Sequence, residues 1–262
     1  MNHTNKVHIT IPVLNEEKQL EASILETLRF CEGHQIENFE LCIADNGSTD
    51  RTEDIGIYLQ SRFNHVKYLK LGKRGFGLAL KGAWSQCQAD YVGYMDLDLA
   101  TDLKHLKQVY DLIQTGTEYT VILGSRLKQE AKVEKRTLLR EITSRGLNFL
   151  LRLILRVKFT DGMCGFKFIQ KNAYDRLASQ FEFSDEWFFV TELAVRAEWM
   201  GETVIDLPVH WVDDPEHSAS SSRLFRLIKQ YLIGIELLRR EKKKVMAERK
   251  RKYHSAKQGD GF

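Results

Sequence analysis

The sequence is short of everything that would suggest a spanning, cross-linked or low-complexity protein. No uninterrupted apolar run approaches the ~18 residues a membrane-crossing helix needs. Three prolines and 17 glycines in 262 residues leave no flexible low-complexity linker. Four cysteines, Cys31, Cys42, Cys87 and Cys164, stand apart without paired metal-ligand spacing, which excludes a disulfide framework and fits a reducing compartment. His65, His105, His210 and His217 also lack ligand spacing. The run GKRGFG misses the GxxxxGK[ST] pattern of an ATP-binding loop. No Ser-His-Asp pattern is present. The opening MNHTNKVHITIPVLNEE enters a strand pattern at once and shows no signal peptide. The expectation is a cytoplasmic protein.

What is present is an ordinary globular composition, 43% hydrophobic and 29% charged. The net charge of +3 conceals a division. Residues 223–262 carry 13 Lys and Arg against four Asp and Glu, and the remainder is mildly acidic. The expected organisation is a catalytic domain over 1–222 and a basic amphipathic helix and tail over 223–262. Such a tail suits a polyanionic surface. Few aromatics and a long apolar face in LFRLIKQYLIGIELLRREKKK favour an anionic membrane over nucleic acid. A solvated chain end is the alternative.

Strand-like and helix-like periods alternate along the first half. KVHITIPVL, FELCIAD, VKYLKL, YVGYMDLD and YTVILGS read as strands, with helices after Glu16, Asp50, Gly77 and Thr101. This order predicts a mostly parallel α/β sheet flanked by helices, with amphipathic helices following it. Ligands of such sheets bind outside the carboxyl ends of the strands. Pro12, Asn15 and Glu16 of IPVLNEE, Asp45 and Asn46 of IADNGSTD, Lys73 and Arg74 of LGKRGFG, Asp96 and Asp98 of YMDLDLATD, and Arg126 of GSR all fall there. Asp45 is suited to base or ribose hydrogen bonds. The basic, glycine-bearing loop before a helix is suited to phosphate. Asp96 and Asp98, as one strand face, repel each other unless a hard cation such as Mg²⁺ or Mn²⁺ lies between them. A solvated strand end is the bland alternative.

IPVLNEE, IADNGSTDRT, KRGFGLALKGA, DLDLATD, GSR, TDGMCGFKFI, WFFVTEL and LPVHWVDDP occur in the order found in family 2 glycosyltransferases. The chain most resembles their polyprenyl- and dolichyl-phosphate sugar transferases, and CGFK is similar to the glucosyltransferase branch. The resemblance implies a GT-A (Rossmann-like) fold, a nucleoside-diphosphate sugar donor, a divalent cation and inverting transfer to a lipid phosphate. It places Pro12, Asn15, Glu16 and Asp45 at the nucleotide, and Asp96 and Asp98 at the metal and donor diphosphate. Arg126 then lies near the phosphates and Arg140 near an acceptor or donor phosphate. Two positions depart from the pattern. Ala100 stands where mannosyl-transferring relatives carry Gln, which favours UDP-glucose over GDP-mannose. Val190 stands where relatives commonly carry an acid, while Glu192 remains. Glu192 has two readings, a base or positioning group and a buried carboxylate paired with an arginine.

A lipid phosphate is already ionised near neutral pH, its second pKa being about 6, so a site without an evident base is consistent with this chemistry. It also gives a role to residues 145–157, where Leu147, Phe149, Leu150, Leu151, Leu153, Ile154 and Leu155 accompany Arg145, Arg152 and Arg156. These arginines are candidate lipid-facing residues of an interfacial helix, and a core or dimer helix is the alternative. Trp84, Trp187, Trp199 and Trp211 read as core, and Asp213 and Asp214 as a solvated turn. Ser222 and Arg223 are placed by resemblance in a loop over the donor. A separate flippase-type membrane protein is an expected partner. Rival readings are a transferase with a soluble or saccharide acceptor and a non-catalytic nucleotide-sugar-binding subunit.

Overall fold

The computed structural model describes residues 4–116, 118–213 and 224–242. Arg223, Ser222, Asp214 and the polybasic end beyond 242 lie outside the described residues. The chain opens with β1 (Val7–Val13), α1 (Leu20–Gly33), β2 (Phe39–Asp45), α2 (Thr52–Arg62), β3 (Val66–Lys70), α3 (Phe76–Gln86), β4 (Tyr91–Met95), α4 (Lys104–Gln114) and β5 (Val121–Ser125). Strand runs are apolar on both faces, as a sheet covered on both sides requires. In β1 and β2, Ile9, Ile11, Leu41 and Ile43 face a core formed with α1 and α4. Cys42, Val92 and Tyr94 face the opposite core with α3.

The second half follows a different plan. β6 (Lys132–Glu134) leads to α5 (Leu138–Leu150), which continues into a π-helical turn at Leu151–Leu155. Then come β7 (Phe166–Gln170), α6 (Lys171–Ala178), α7 (Phe189–Met200), β8 (Val204–Pro208) and β9 (His210–Val212). A final helix, here α8, covers 224–242. The main sheet runs β3-β2-β1-β4-β7-β5-β8, and β6 pairs with β9 in a small ribbon. All pairings in the main sheet are parallel except those of β7, which enters antiparallel between β4 and β5. The sequence order alone did not anticipate that insertion. Its consequence is topological: the loop preceding β7 emerges at the carboxyl edge of the other strands.

Several local expectations need correction. β4 ends at Met95, so Asp96 and Asp98 lie on a turn and not on one strand face. The turn carries Leu99 in the left-handed region at φ +53°. Trp187 is 48% exposed and stacks on Phe76, with centroids 3.7 Å apart, while Trp84, Trp199 and Trp211 are buried. Asp213 is buried, not solvated. The helix over 145–157 is part core and part exposed. Leu147, Leu151 and Leu155 enter the core, whereas Phe149 and Leu153 remain exposed with Leu138, Leu139 and Ile142. α8 shares that core through Tyr231, Ile235 and Leu238, and Tyr231 Oη lies 2.9 Å from Thr191 Oγ1.

Candidate active site

At one end of the carboxyl edge, backbone and side chains of the β1 and β2 loops are tied together. Asn15 adopts φ +58°. Its Oδ1 accepts from Thr49 N–H at 2.8 Å and its N–H donates to Ser48 Oγ at 2.9 Å. Glu16 N–H donates to Thr52 Oγ1 at 2.8 Å. Asp45 is fully buried, and its two oxygens accept from Ser48 N–H and Tyr68 Oη–H, each at 2.7 Å. Its carboxylate therefore organises the turn. Asn46 Oδ1 accepts from Gly75 N–H at 2.6 Å and ties the turn to the start of α3. Lys73 and Arg74 stand exposed on the intervening loop, and Pro12 is half-buried within β1.

The centre of the edge is the turn after β4. Asp96 N–H donates to Gly165 O at 3.2 Å, and Asp98 Oδ1 accepts from Ala100 N–H at 3.0 Å. Gly165 belongs to the loop delivered by β7. A Cβ there would fall 1.7 Å from Asp96 Oδ2, so the carboxylate rests directly on the glycine. Burial and then the Asp98 charge push the Asp96 carboxyl well above the usual carboxylate range, against the pull of Arg126 and Lys167. A divalent cation removes this conflict. Among the described residues no cluster of three or more His, Cys, Asp or Glu side chains is placed to hold a metal. Two carboxylates completed by substrate oxygens and water are the arrangement typical of a Mg²⁺-diphosphate site.

Beside this pair, Arg126 and Asp161 form a buried fork. Arg126 Nε and Nη2 donate to the Asp161 oxygens at 2.8 and 3.1 Å. Burial by itself lowers the Arg126 pKa, but the Asp161 charge outweighs it and raises the guanidinium above its ordinary value. Conversely, burial raises Asp161 and Arg126 overrides it, holding that carboxyl well below the usual range. Asn148 of α5 donates to Asp161 Oδ1 at 3.2 Å, and Trp211 of β9 covers the guanidinium at 4.8 Å. Lys167 is buried in β7, and its Nζ donates to Cys164 O, which also accepts from Tyr94 Oη–H at 3.0 Å. Burial lowers its pKa.

The other expected residues separate into two groups. Arg140 reaches Asp213 Oδ2 at 3.1 Å beside the start of α5. Arg145, Arg152 and Arg156 point to the outer surface. Glu192 is buried against Arg196, whose Nη2 donates at 2.7 Å, and accepts from Ser184 N–H at 2.9 Å. Its contacts are those of a paired carboxylate. Val190 is buried in the same helix. Sequence reasoning quoted TDGMCGFKFI without assigning Asp161, Gly165 or Lys167, and did not single out Arg136 at all. The missing signal was the direction of β7, which the order of elements does not carry.

Residues 8–178 match the family described as Glycosyl transferase family 2. The chain belongs to that family, and its fold is GT-A. It is 33% identical over 208 residues to glycosyltransferase AglD of Haloferax volcanii, covering 79% of this chain and 33% of that protein. It is 26% identical over 222 residues to the dolichyl-phosphate beta-glucosyltransferase of Homo sapiens, covering 80% and 68%. A Trichomonas vaginalis dolichyl-phosphate beta-glucosyltransferase, ALG5A, matches at 26% over 78% of this chain and 64% of its own length. The chain thus spans a third of AglD and about two thirds of these glucosyltransferases. Among solved structures, glucosyl-3-phosphoglycerate synthase of Mycobacterium tuberculosis with Mn²⁺, UDP and phosphoglyceric acid is similar. Its TM-score is 0.67 at 15% identity, covering 90% of this chain and 78% of that one.

Proposed function

We propose that this chain transfers glucose, with inversion, from UDP-glucose to a polyprenyl or dolichyl phosphate at the cytoplasmic face of a membrane. One observation carries the reading: a carboxylate pair, a buried arginine fork and the loops after β1 and β2 share a single sheet edge, in a family 2 chain with dolichyl-phosphate glucosyltransferase relatives. The loops of Asn15, Glu16, Asp45 and Asn46 would receive the nucleoside, and Lys73 and Arg74 would flank its phosphates. Asp96 and Asp98 would hold Mg²⁺ or Mn²⁺, which when bound offsets charge on the departing diphosphate. Arg126, kept charged and fixed by Asp161, would orient the phosphates. The acceptor phosphate is its own nucleophile, so the chain must chiefly position it and exclude water.

No described helix is long and apolar enough to cross a membrane. The membrane contact in this reading is an exposed stripe on α5 and its continuation. Leu138, Ile142, Phe149 and Leu153 recur at helical spacing and are 75, 60, 56 and 62% exposed. Arg145 and Arg152 flank them, and α8 adds exposed Phe225, Leu232, Ile233 and Leu237. An apolar band edged with arginine suits an anionic headgroup region.

The test is incubation of the purified chain with radiolabelled UDP-glucose, Mn²⁺ and vesicles containing polyprenyl phosphate. Label in the organic phase, abolished by chelator, is expected. Label only in an aqueous saccharide product, or transfer from GDP-mannose in preference to UDP-glucose, would contradict the assignment.

A further inference from the structure

The segment that carries Asp161 to Arg126 is a loop, lying between the π-helical turn and β7. Neighbouring elements hold it at successive residues. Thr160 N–H and Oγ1–H donate to Asp206 Oδ2 of β8 at 2.8 and 2.9 Å. Gly162 N–H donates to Asn148 Oδ1 of α5 at 2.8 Å. The Gly162 carbonyl accepts from Thr191 Oγ1 of α7 at 2.6 Å, and Thr191 is fully buried. Glycine tolerates the widest range of φ and ψ. The bonds at the two ends of Gly162 therefore do more than its own sterics to fix the residue that follows Asp161.

Thr191 carries one hydroxyl proton and a carbonyl only accepts, so that proton is committed to Gly162. The other contact of the hydroxyl, with Tyr231 Oη at 2.9 Å, must run the opposite way: Tyr231 donates and Thr191 accepts. Burial pushes the Tyr231 phenol up to about 12, so it keeps the proton this requires. The result is a directed chain of hydrogen bonds from α8 through α7 to the Asp161 loop. Packing keeps it in line. A Cβ on Gly162 would fall 3.0 Å from Thr191 Cγ2. A Cβ on Gly234 would fall 2.3 Å from the Phe188 ring, so α8 lies as close to the start of α7 as a glycine allows. Phe188 meets Tyr231 edge-on, with centroids 5.2 Å apart.

We propose that Tyr231 and Thr191 are positioning residues for the Arg126–Asp161 fork, with α8 holding the Gly162 carbonyl through their two hydroxyls. The inference rests on the proposed transfer for the role of the fork, though not for the chain of bonds. Asp161 accepts both donors of the Arg126 guanidinium, so a loop that turns at Gly162 turns the guanidinium with it. The helix that presents Phe225, Leu232, Ile233 and Leu237 outward is thereby also a part of the reacting centre.

Amide hydrogen exchange of the full chain tests the chain of bonds, beside transfer kinetics with UDP-glucose and a prenyl phosphate. Exchange at Arg126 N–H, which donates to Asp161 Oδ2 at 3.2 Å, reports the fork without need of activity. Thr191→Val keeps the side-chain shape and strands the Gly162 carbonyl. It should speed exchange over 159–165 and at Arg126 by about tenfold and lower kcat by about tenfold. Exchange in β1 and β2 should stay native, which a general loss of stability would not allow. Thr191→Ser, which keeps the hydroxyl, should recover most of both. Tyr231→Phe leaves the bond to Gly162 in place and should cost about threefold. Adding it to Thr191→Val should cost nothing further, because its partner is already gone. Gly234→Ala pushes on Phe188 from a position with no bond to the loop and should act in the same direction. Native loop exchange in Thr191→Val, additive losses in the double variant, or fast loop exchange with native kcat overturns the positioning role. If Thr191→Val does not fold, Tyr231→Phe decides alone, and native exchange at Arg126 there overturns it. Faster exchange as expected, but no lipid label from the native chain, removes the transfer assignment and leaves the chain of bonds standing. Lipid label with native Arg126 exchange in every variant does the reverse.

Discussion

Gly165→Ala isolates the support of Asp96 from everything else at the site. The added methyl carbon would lie 1.7 Å from Asp96 Oδ2 and 2.4 Å from Cγ. Ordinary contact begins near 3.5 Å, so the carboxylate must retreat by roughly 1–2 Å. The atoms displaced are the far end of a side chain, and the glycine is not in the left-handed region, so folding should be little affected. Function should be affected strongly, because misplacement of about 1 Å at a reacting centre costs on the order of 10²-fold. We expect kcat/KM to fall by about that factor, the Mn²⁺ concentration for half-maximal activity to rise, and the melting temperature to stay within a few degrees. A variant with native turnover and native Mn²⁺ dependence would refute the placement of Asp96 at the metal. A variant that simply unfolds would show that the cradle is structural.

Asp96→Asn and Asp98→Asn should each reduce transfer by about 10²–10³-fold while leaving the chain folded, which steady-state rates and circular dichroism would establish together. Glu192→Gln should act on stability instead, costing about 1–3 kcal/mol in denaturant melts through the loss of its charged partner to Arg196. A large fall in kcat at unchanged stability would support a role as a base. Asp161 is held below its unfolded value of about 3.9, so the stability it contributes is present above that pH and is lost as the solution is acidified below it. Asp161→Asn should melt lower at pH 7 and show a shallower loss of melting temperature below about pH 4. Replacing exposed Leu138, Ile142, Phe149 and Leu153 with Ser should abolish sedimentation with anionic vesicles while leaving UDP binding intact. Unchanged sedimentation would direct attention to α8.

Asp213 shows how far residue type alone can mislead. Glu192 was open between a base and a carboxylate paired with an arginine, and Arg196 four residues later on the same helical face is such a partner. Asp213 lies in a polar run that looks solvated, yet Arg140, distant in sequence, holds it in the interior. Trp187 errs in the other direction: its stacking partner Phe76 leaves half the indole exposed.

The alternating apolar runs, by themselves, determined the strands and their parallel order, because a buried strand must be continuously apolar and a crossover helix must follow it. They also placed Asp96, Asp98 and Arg126 at one edge, since parallel strands share a direction. What tertiary structure alone decided was the reversal of β7, which carries Asp161 to Arg126 and Gly165 beneath Asp96. It likewise decided the meeting of Arg136, Arg140 and Asp213. These depend on which strands hydrogen-bond across long separations, a choice made by competition between whole arrangements and not by any single segment.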